Sequence, residues 1–160
     1  MPGGRQMRLA HLQQQISELR KNKKPEWGEG SFNKNIVILH GHISGAAAAY
    51  NSGQTGKCAK ELAAFVIRII DFPTMFPNWG DIWGSQRLAD FKVDKISGDV
   101  WDHLYKLHQL ASGLVGGRSD IILLIKMLQI ARAAAQIQEI DLARAIKEQM
   151  DNYWQSAKVN

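Results

Sequence analysis

The chain has 160 residues, a hydrophobic fraction of 45% and a formal net charge of +5. That length fits one domain with its own core, so we expect a single domain over residues 1–160. Its one cysteine, Cys58, excludes an intrachain disulfide, and no apolar run approaches the roughly 20 residues that span a bilayer. The first residues also lack the apolar stretch of a secretory signal. A cytoplasmic location without membrane attachment is therefore expected.

The spacing of apolar residues predicts helix after helix along the chain. In chain order the predicted helices are 9–21, 35–50, 56–72, 100–114, 121–135 and 142 to about 154. No segment alternates as a strand does, so the predicted fold class is all-α. The helix over 121–135 is the most apolar, and it is therefore expected to be central. Ser119 or Asp120 is expected to cap that helix, and Asp141 is expected to cap the last one.

Residues 73–99 are predicted to form an irregular insertion. The segment carries Pro73, Pro77 and several glycines, which interrupt helices, together with Trp79 and Trp83. Large indole rings in such a segment can cap the helical core by packing or anchor a partner protein. They can also stack on a base, and the sequence leaves these three roles open.

A short motif occurs twice. The run Leu39-His40-x-x-x-Ser44-Gly45 recurs as Leu107-His108-x-x-x-Ser112-Gly113. Each copy precedes a glycine-containing turn and a long apolar helix. Two origins remain open: a duplicated helical hairpin, which would build one four-helix core from two similar halves, or chance similarity between helices. At equivalent positions of the repeat, the two histidines are expected to be partly buried packing residues.

Two segments resemble a known family. The run Glu61-Leu62-Ala63-Ala64-Phe65-Val66-Ile67-Arg68-Ile69-Ile70-Asp71 resembles the Glu-Leu-Ala-Asp-Val-Val-Ile-Arg-Ile-Leu-Asp helix of MazG-like, all-α nucleoside triphosphate pyrophosphatases. Residues 140–150 resemble the closing Gly-Ile-Asp-Leu-x-x-Ala-Ile-x-x-Lys-Met of that family. The resemblance covers residues 39–71 and 139–153 and implies a MazG-like helical bundle.

The family's metal site falls on four positions of this chain. Two acids on one helix and two on the next hold magnesium against the triphosphate in that family, and they correspond to His42, Gly45, Glu61 and Ala64. Magnesium prefers oxygen ligands, whereas imidazole suits zinc, copper or nickel. Glu61 is therefore the one metal ligand that the resemblance leaves. We expect no cofactor, with Mg²⁺ required only if the chain is an active enzyme.

Other elements of the family's site have alternatives within the chain. The resemblance makes Glu61, Arg68, Trp79 and Trp83 the candidate nucleotide-binding residues, with Arg68 as a phosphate ligand. Arg68 can instead pair along its helix with Asp71, three residues away. Similarly, His42 can pair with Glu61 across the two helices as an internal polar contact. The family's closing lysine is Gln149 here.

These features favour a catalytically degenerate MazG-like protein that binds a nucleotide or serves as a protein scaffold. The alternative is a divergent, metal-dependent pyrophosphatase, a house-cleaning hydrolase that recruits acids from elsewhere, such as Asp81, Asp90, Asp94 and Asp99. A nucleic-acid role is a third hypothesis that rests only on the basic charge and the run 20–24. A homodimer or higher oligomer is expected, because the apolar helix 121–135 and the alanines 46–49 exceed what a short bundle can bury.

Overall fold

The computed structural model describes residues 7–22, 31–93 and 98–159. These residues contain six α-helices: α1 (Leu9–Asn22), α2 (Phe32–Asn51), α3 (Thr55–Asp71), α4 (Val100–Ser112), α5 (Asp120–Ile137) and α6 (Leu142–Val159). The one extended pairing in this part of the chain is an antiparallel bridge between Arg8 and Arg87. The all-α prediction is therefore confirmed, and each predicted helix is present. No helix within the described ranges has both the length and the apolarity needed to cross a membrane.

Helix α3 lies at the centre of the molecule. It packs against α1, α2, α5 and α6, and small side chains such as Ala63 and Ala64 allow close approach on several sides. The expectation that α5 would be central is wrong, because α5 packs only against α3 and α4 among the principal contacts. Its outer face leaves Ile122 72% exposed. The apolar residues of α5 therefore form one broad buried face, and other helices do not surround α5 on all sides.

The helices pair into two hairpins. α2 packs against α3 and α4 packs against α5, while α2 also lies beside α4 and α3 beside α5. Near the end of α2 the ring of Tyr50 contacts Trp101 at the start of α4, with 5.7 Å between ring centroids. Phe32, at the start of α2, lies near Gly116, just after the end of α4. Helices α2 and α4 therefore run antiparallel, and α1 and α6 pack on the remaining sides of α3.

The segment after α3 covers one end of this bundle. It contains three short 3₁₀ turns, Phe72–Met75, Pro77–Trp79 and Leu88–Asp90. The indole Nε1 of Trp83 donates a hydrogen bond to the Ile70 carbonyl oxygen at 3.0 Å, and Trp79 stacks on Phe76 at a centroid distance of 4.3 Å. Both tryptophans are buried. Their positions support the packing role among the three that the sequence allows.

Two aspartates fix the ends of helices in different ways. The Asp141 carboxylate accepts a hydrogen bond from the Arg144 backbone N–H at 3.1 Å, so the predicted cap of α6 is confirmed. The predicted cap of α5 is wrong. Ser119 makes no capping hydrogen bond, and the buried Asp120 carboxylate instead accepts from the backbone of the preceding loop, including the Gly116 N–H at 2.8 Å. Gly116 has a φ of 85°, a conformation that glycine adopts without strain.

The core face of α3 can be tested at Ile69. Leu62, Phe65, Val66 and Ile69 are all buried. Replacing Ile69 by alanine should lower the free energy of unfolding by about 2–5 kcal/mol, the usual effect of truncating a buried isoleucine. Chemical denaturation measures this change. The matched control is Ile122→Ala at an exposed position, where we expect a change within about 0.5 kcal/mol. Similar small effects at both positions would contradict the assigned core.

Candidate functional site

Three of the four positions that the resemblance matches to metal ligands, His42, Gly45 and Glu61, lie together where α2 packs against α3. The Nδ1 atom of His42 lies 3.0 Å from Oε2 of Glu61, and both side chains are partly exposed. The predicted pairing of these two residues across the helices is confirmed. One oxygen of the single remaining carboxylate is therefore bound to an imidazole of the same chain.

Gly45 provides the space that this carboxylate occupies. A methyl group added at Gly45 would lie 2.7 Å from Cδ of Glu61 and 2.9 Å from its Oε2 atom. These distances are shorter than ordinary van der Waals contacts, so the carboxyl group rests directly on the backbone of α2. The fourth position, Ala64, is buried. An acidic side chain at Gly45 would require Glu61 to move.

Helix α6 adds Tyr153 to this group of residues. The pKa of the Tyr153 phenol is raised chiefly by burial, and a hydrogen bond with Gln149 and the charge of Arg68 oppose the rise. Glu61 raises the same pKa through its negative charge. Tyr153 thus interacts with both Glu61 and Arg68, four residues after the position of the family's lysine. Sequence reasoning missed this contribution, although the helical spacing from Gln149 to Tyr153 was a usable signal.

Arg68 lies in the same buried region between α3 and α6. Burial is the main cause that lowers the pKa of its guanidinium, while Tyr153 and Asp71 raise it. The carboxylate of Asp71 forms an ion pair with Arg20 of α1 and also accepts a hydrogen bond from Thr74 at 3.2 Å. Arg20 thereby holds α1 against the end of α3. Arg20 is thus a basic residue of the run 20–24 that pairs with an acid of the same chain. Residues 23–24 of that run lie outside the described part of the chain.

The acids of the alternative enzyme hypothesis have local backbone contacts. Asp81, Asp90 and Asp99 each accept a hydrogen bond from a backbone N–H three residues away, at 2.8–3.2 Å. Asp94 lies outside the described residues. Within residues 7–22, 31–93 and 98–159, no three His, Cys, Asp or Glu side chains converge in a way that could hold a metal ion.

The polar group formed by His42, Glu61, Arg68 and Tyr153 lies between helices. Three surface cavities, of about 510, 350 and 260 Å³, are described in the structure, and none of these three is lined by any of the four residues. Cys58, one turn before Glu61, is a buried free thiol whose pKa is raised mainly by burial. The arrangement can therefore exchange hydrogen bonds and charge among its own members, and His42 and Glu61 are partly exposed to solvent.

A second polar contact joins the two copies of the repeat. The Nδ1 atoms of His40 and His108 lie 2.7 Å apart, with ring centroids separated by 5.0 Å and planes inclined by 11°. Two nearly parallel rings whose centroids are 5.0 Å apart while their nitrogens are only 2.7 Å apart must lie edge to edge, with the two Nδ1 atoms facing each other. The Oγ atom of Ser112 lies 3.4 Å from Nε2 of His40. Both histidines are half-buried, as the sequence predicts.

Comparisons of the chain with protein-family models, curated proteins and solved structures give no match. The resemblance of residues 39–71 and 139–153 to MazG-like proteins therefore stays a prediction from their sequence. The structure adds that the matched positions His42, Gly45 and Glu61 are in contact. Arg68 lies on the same helix as Glu61 and interacts electrostatically with Tyr153 of α6.

The close approach at Gly45 can be tested against Gly41 on the same helix. A methyl group at Gly41 meets nothing within 4 Å. Gly41→Ala should therefore raise the free energy of unfolding by about 0.5–1 kcal/mol, because alanine favours the helix. Gly45→Ala should lack this gain, because it displaces Glu61 from His42. In a Glu61→Ala background the gain should return. Equal stabilisation by Gly41→Ala and Gly45→Ala in the native background would contradict the crowding.

The histidine pair should make stability depend on pH. Burial first, and the neighbouring His40 second, lower the pKa of His108 below its ordinary value of 6.5. The unfolded chain then binds a proton at this site more readily than the folded chain, so stability falls as the pH drops below about 6.5. Urea denaturation at pH 7.5 and 5.5 should show a smaller difference in His108→Gln than in the native chain. His11→Gln, at an exposed histidine of α1, should leave the difference unchanged. The same pH dependence in all three proteins would refute the assignment.

Proposed function

We propose that this chain is a catalytically inactive MazG-like protein whose role is to bind other molecules and not to hydrolyse nucleotides. The observation that carries the proposal is the state of the four matched metal positions. Only Glu61 bears a carboxylate, and that group is bound to His42 and rests on Gly45. Magnesium needs several oxygen ligands, and metal-dependent hydrolysis relies on the ion to activate water and neutralise charge. One engaged carboxylate does not meet these needs.

We include the duplicated hairpin in this proposal. Equivalent residues of two units related by a two-fold axis contact each other only at that axis. His40 and His108 are equivalent in the sequence repeat, and their rings are in contact. The helices that carry them, α2 and α4, run antiparallel, which is the arrangement that a perpendicular two-fold axis produces. These observations favour duplication over chance similarity.

Among binding roles, the surface favours a protein scaffold. Val37, Tyr105 and Val115 are large apolar side chains that are 69%, 64% and 73% exposed. Exposed apolar groups of this size mark contacts with other proteins when they form a patch, and a second copy of this chain is the simplest partner. By contrast, Trp79 and Trp83 are buried, so the rings for which base stacking was one of three open roles are engaged in packing.

Nucleotide binding remains the second candidate, favoured by one specific observation. Arg68 is a cation in a largely buried position, and it interacts with Tyr153 of α6 and with Asp71. A guanidinium is well suited to phosphate oxygens. A nucleotide would enter between α3 and α6 and would compete with the phenol for this charge. Binding without turnover would raise the melting temperature of the protein, and the stabilisation would grow with the logarithm of the nucleotide concentration once that concentration exceeds the dissociation constant.

The inactive state is tested directly by assay. Purified protein should release no pyrophosphate above background from ribo- or deoxynucleoside triphosphates supplied with Mg²⁺ or Mn²⁺, because Glu61 is the only acid at the matched positions. Turnover that is lost in Glu61→Gln but kept in the exposed control Glu139→Gln would overturn the proposal and support the pyrophosphatase alternative. The same nucleotides in a thermal-shift assay separate a nucleotide-binding protein, which is stabilised, from a scaffold, which is not.

The oligomeric state forms a separate prediction. Most side chains of α5 and of the alanines 46–49 are buried or partly buried within the chain. The prediction of an oligomer therefore rests on exposed apolar side chains such as Val37 and Tyr105. Light scattering at micromolar concentration should give at least twice the 17.9 kDa mass of one chain. Tyr105→Ser should shift the distribution toward monomer, whereas Gln109→Ser, at an exposed polar position of the same helix, should not. A monomeric native chain would contradict this part of the proposal.

A further inference from the structure

The contact between His40 and His108 has the chemistry of a metal site. Their Nδ1 atoms come from two different helices and point toward one another at 2.7 Å. A neutral imidazole carries one N–H and one bare nitrogen, so this contact holds either a proton between the rings or two facing lone pairs. A cation placed between two lone pairs removes their repulsion. Both rings are half-buried and thus partly accessible to ions from solvent.

The distances are close to those that a metal requires. Metal–imidazole bonds of about 2.0–2.1 Å place two neighbouring ligand nitrogens roughly 2.9–3.4 Å apart. The Nδ1 atoms face each other at 2.7 Å with the rings edge to edge. To bind one ion, the two rings must therefore separate slightly and tilt until both lone pairs point at the ion.

Ser112 supplies a partner for the other side of one ring. Its Oγ atom lies 3.4 Å from Nε2 of His40. When Nε2–H of His40 donates to this hydroxyl, the Nδ1 atom of the same ring is bare and can bind a cation. Metal-ligating histidines characteristically donate their second N–H to such an outer partner, which fixes the tautomer and the ring orientation. The three residues thus form two ligands and one supporting contact.

We propose that His40 and His108 bind a divalent transition-metal ion, Cu²⁺, Ni²⁺ or Zn²⁺, where α2 crosses α4. Imidazole nitrogen prefers these ions to Mg²⁺, and affinity in such sites is highest for Cu²⁺. Water completes the coordination sphere in this site. A bound ion would crosslink the two hairpins at the point where their repeat-equivalent residues meet. The site is distinct from the Glu61 region, because residues two apart on a helix, such as His40 and His42, point in different directions.

The experiment uses the full chain with Cu²⁺ as the probe, added at less than one equivalent. Pulsed electron paramagnetic resonance counts the imidazole nitrogens bound to copper, and we expect two. Isothermal titration should show at least tenfold weaker binding in His40→Gln and in His108→Gln. Ser112→Ala should weaken binding about tenfold, as the loss of an outer partner does. His11→Gln and His42→Gln are matched controls and should keep the native affinity.

Two readouts keep the proposal falsifiable even if a variant folds poorly, which circular dichroism would reveal. In the native chain, a spectrum with one imidazole or none would overturn the site, whatever the variants do. Unchanged affinity in folded His108→Gln would also overturn it, as would equal loss in the His42→Gln control. Thermal stabilisation by Zn²⁺ or Ni²⁺, but not by Mg²⁺, should follow the same pattern of variants. None of these results depends on whether the chain hydrolyses or binds nucleotides.

Discussion

The burial of α3 among four other helices is the constraint on which the molecule depends. Residues 62–67 of this helix are buried without interruption, and α1, α2, α5 and α6 all pack on it. A helix that is apolar on most of its circumference can be stable only in such an enclosed position. The two hairpins, the final helix and the segment after α3 are therefore held together by contacts with one element, and variants that loosen this helix should loosen all of them.

Enclosure of α3 also determines the behaviour of its polar residues. Asp71 is buried, and Glu61 and Arg68 are partly buried; a polar group in such a position is costly unless it is paired. His42 of α2 pairs with the carboxylate of Glu61 and Arg20 of α1 pairs with Asp71, while Arg68 interacts electrostatically with Tyr153 of α6. In this way the polar residues of one helix contribute contacts to three neighbouring helices.

The sequence predicted the helices well because their apolar spacing is a local property. It also predicted the contact of His42 with Glu61, since a short turn after Asn51 requires α2 and α3 to lie side by side. The central position of α3 was missed because enclosure depends on which helices pack together, and the overall apolarity of α5 carried no information about that. The carboxylate contact of Asp120 was missed for a related reason: it depends on the conformation of the loop at Gly116. The helical spacing from Gln149 placed Tyr153 on the same face of α6, but its position near Arg68 also depends on the direction in which α6 packs against α3.

The packing at Gly45 links the position of the Glu61 carboxylate to the shape of the hairpin. With no side chain at this position, α2 lies against the carboxylate of Glu61, and His42 binds the oxygen that a metal would otherwise use. Introducing an acid at Gly45 alone would place two carboxylates in a space that holds one, without further oxygen ligands from Ala64. Like charges at such separation repel, so an acid at Gly45 would disturb the packing of α2 against α3. A magnesium site at these positions would therefore require coordinated changes on both helices, because the contacts of Glu61 with His42 and Gly45 are part of the packing of the hairpin.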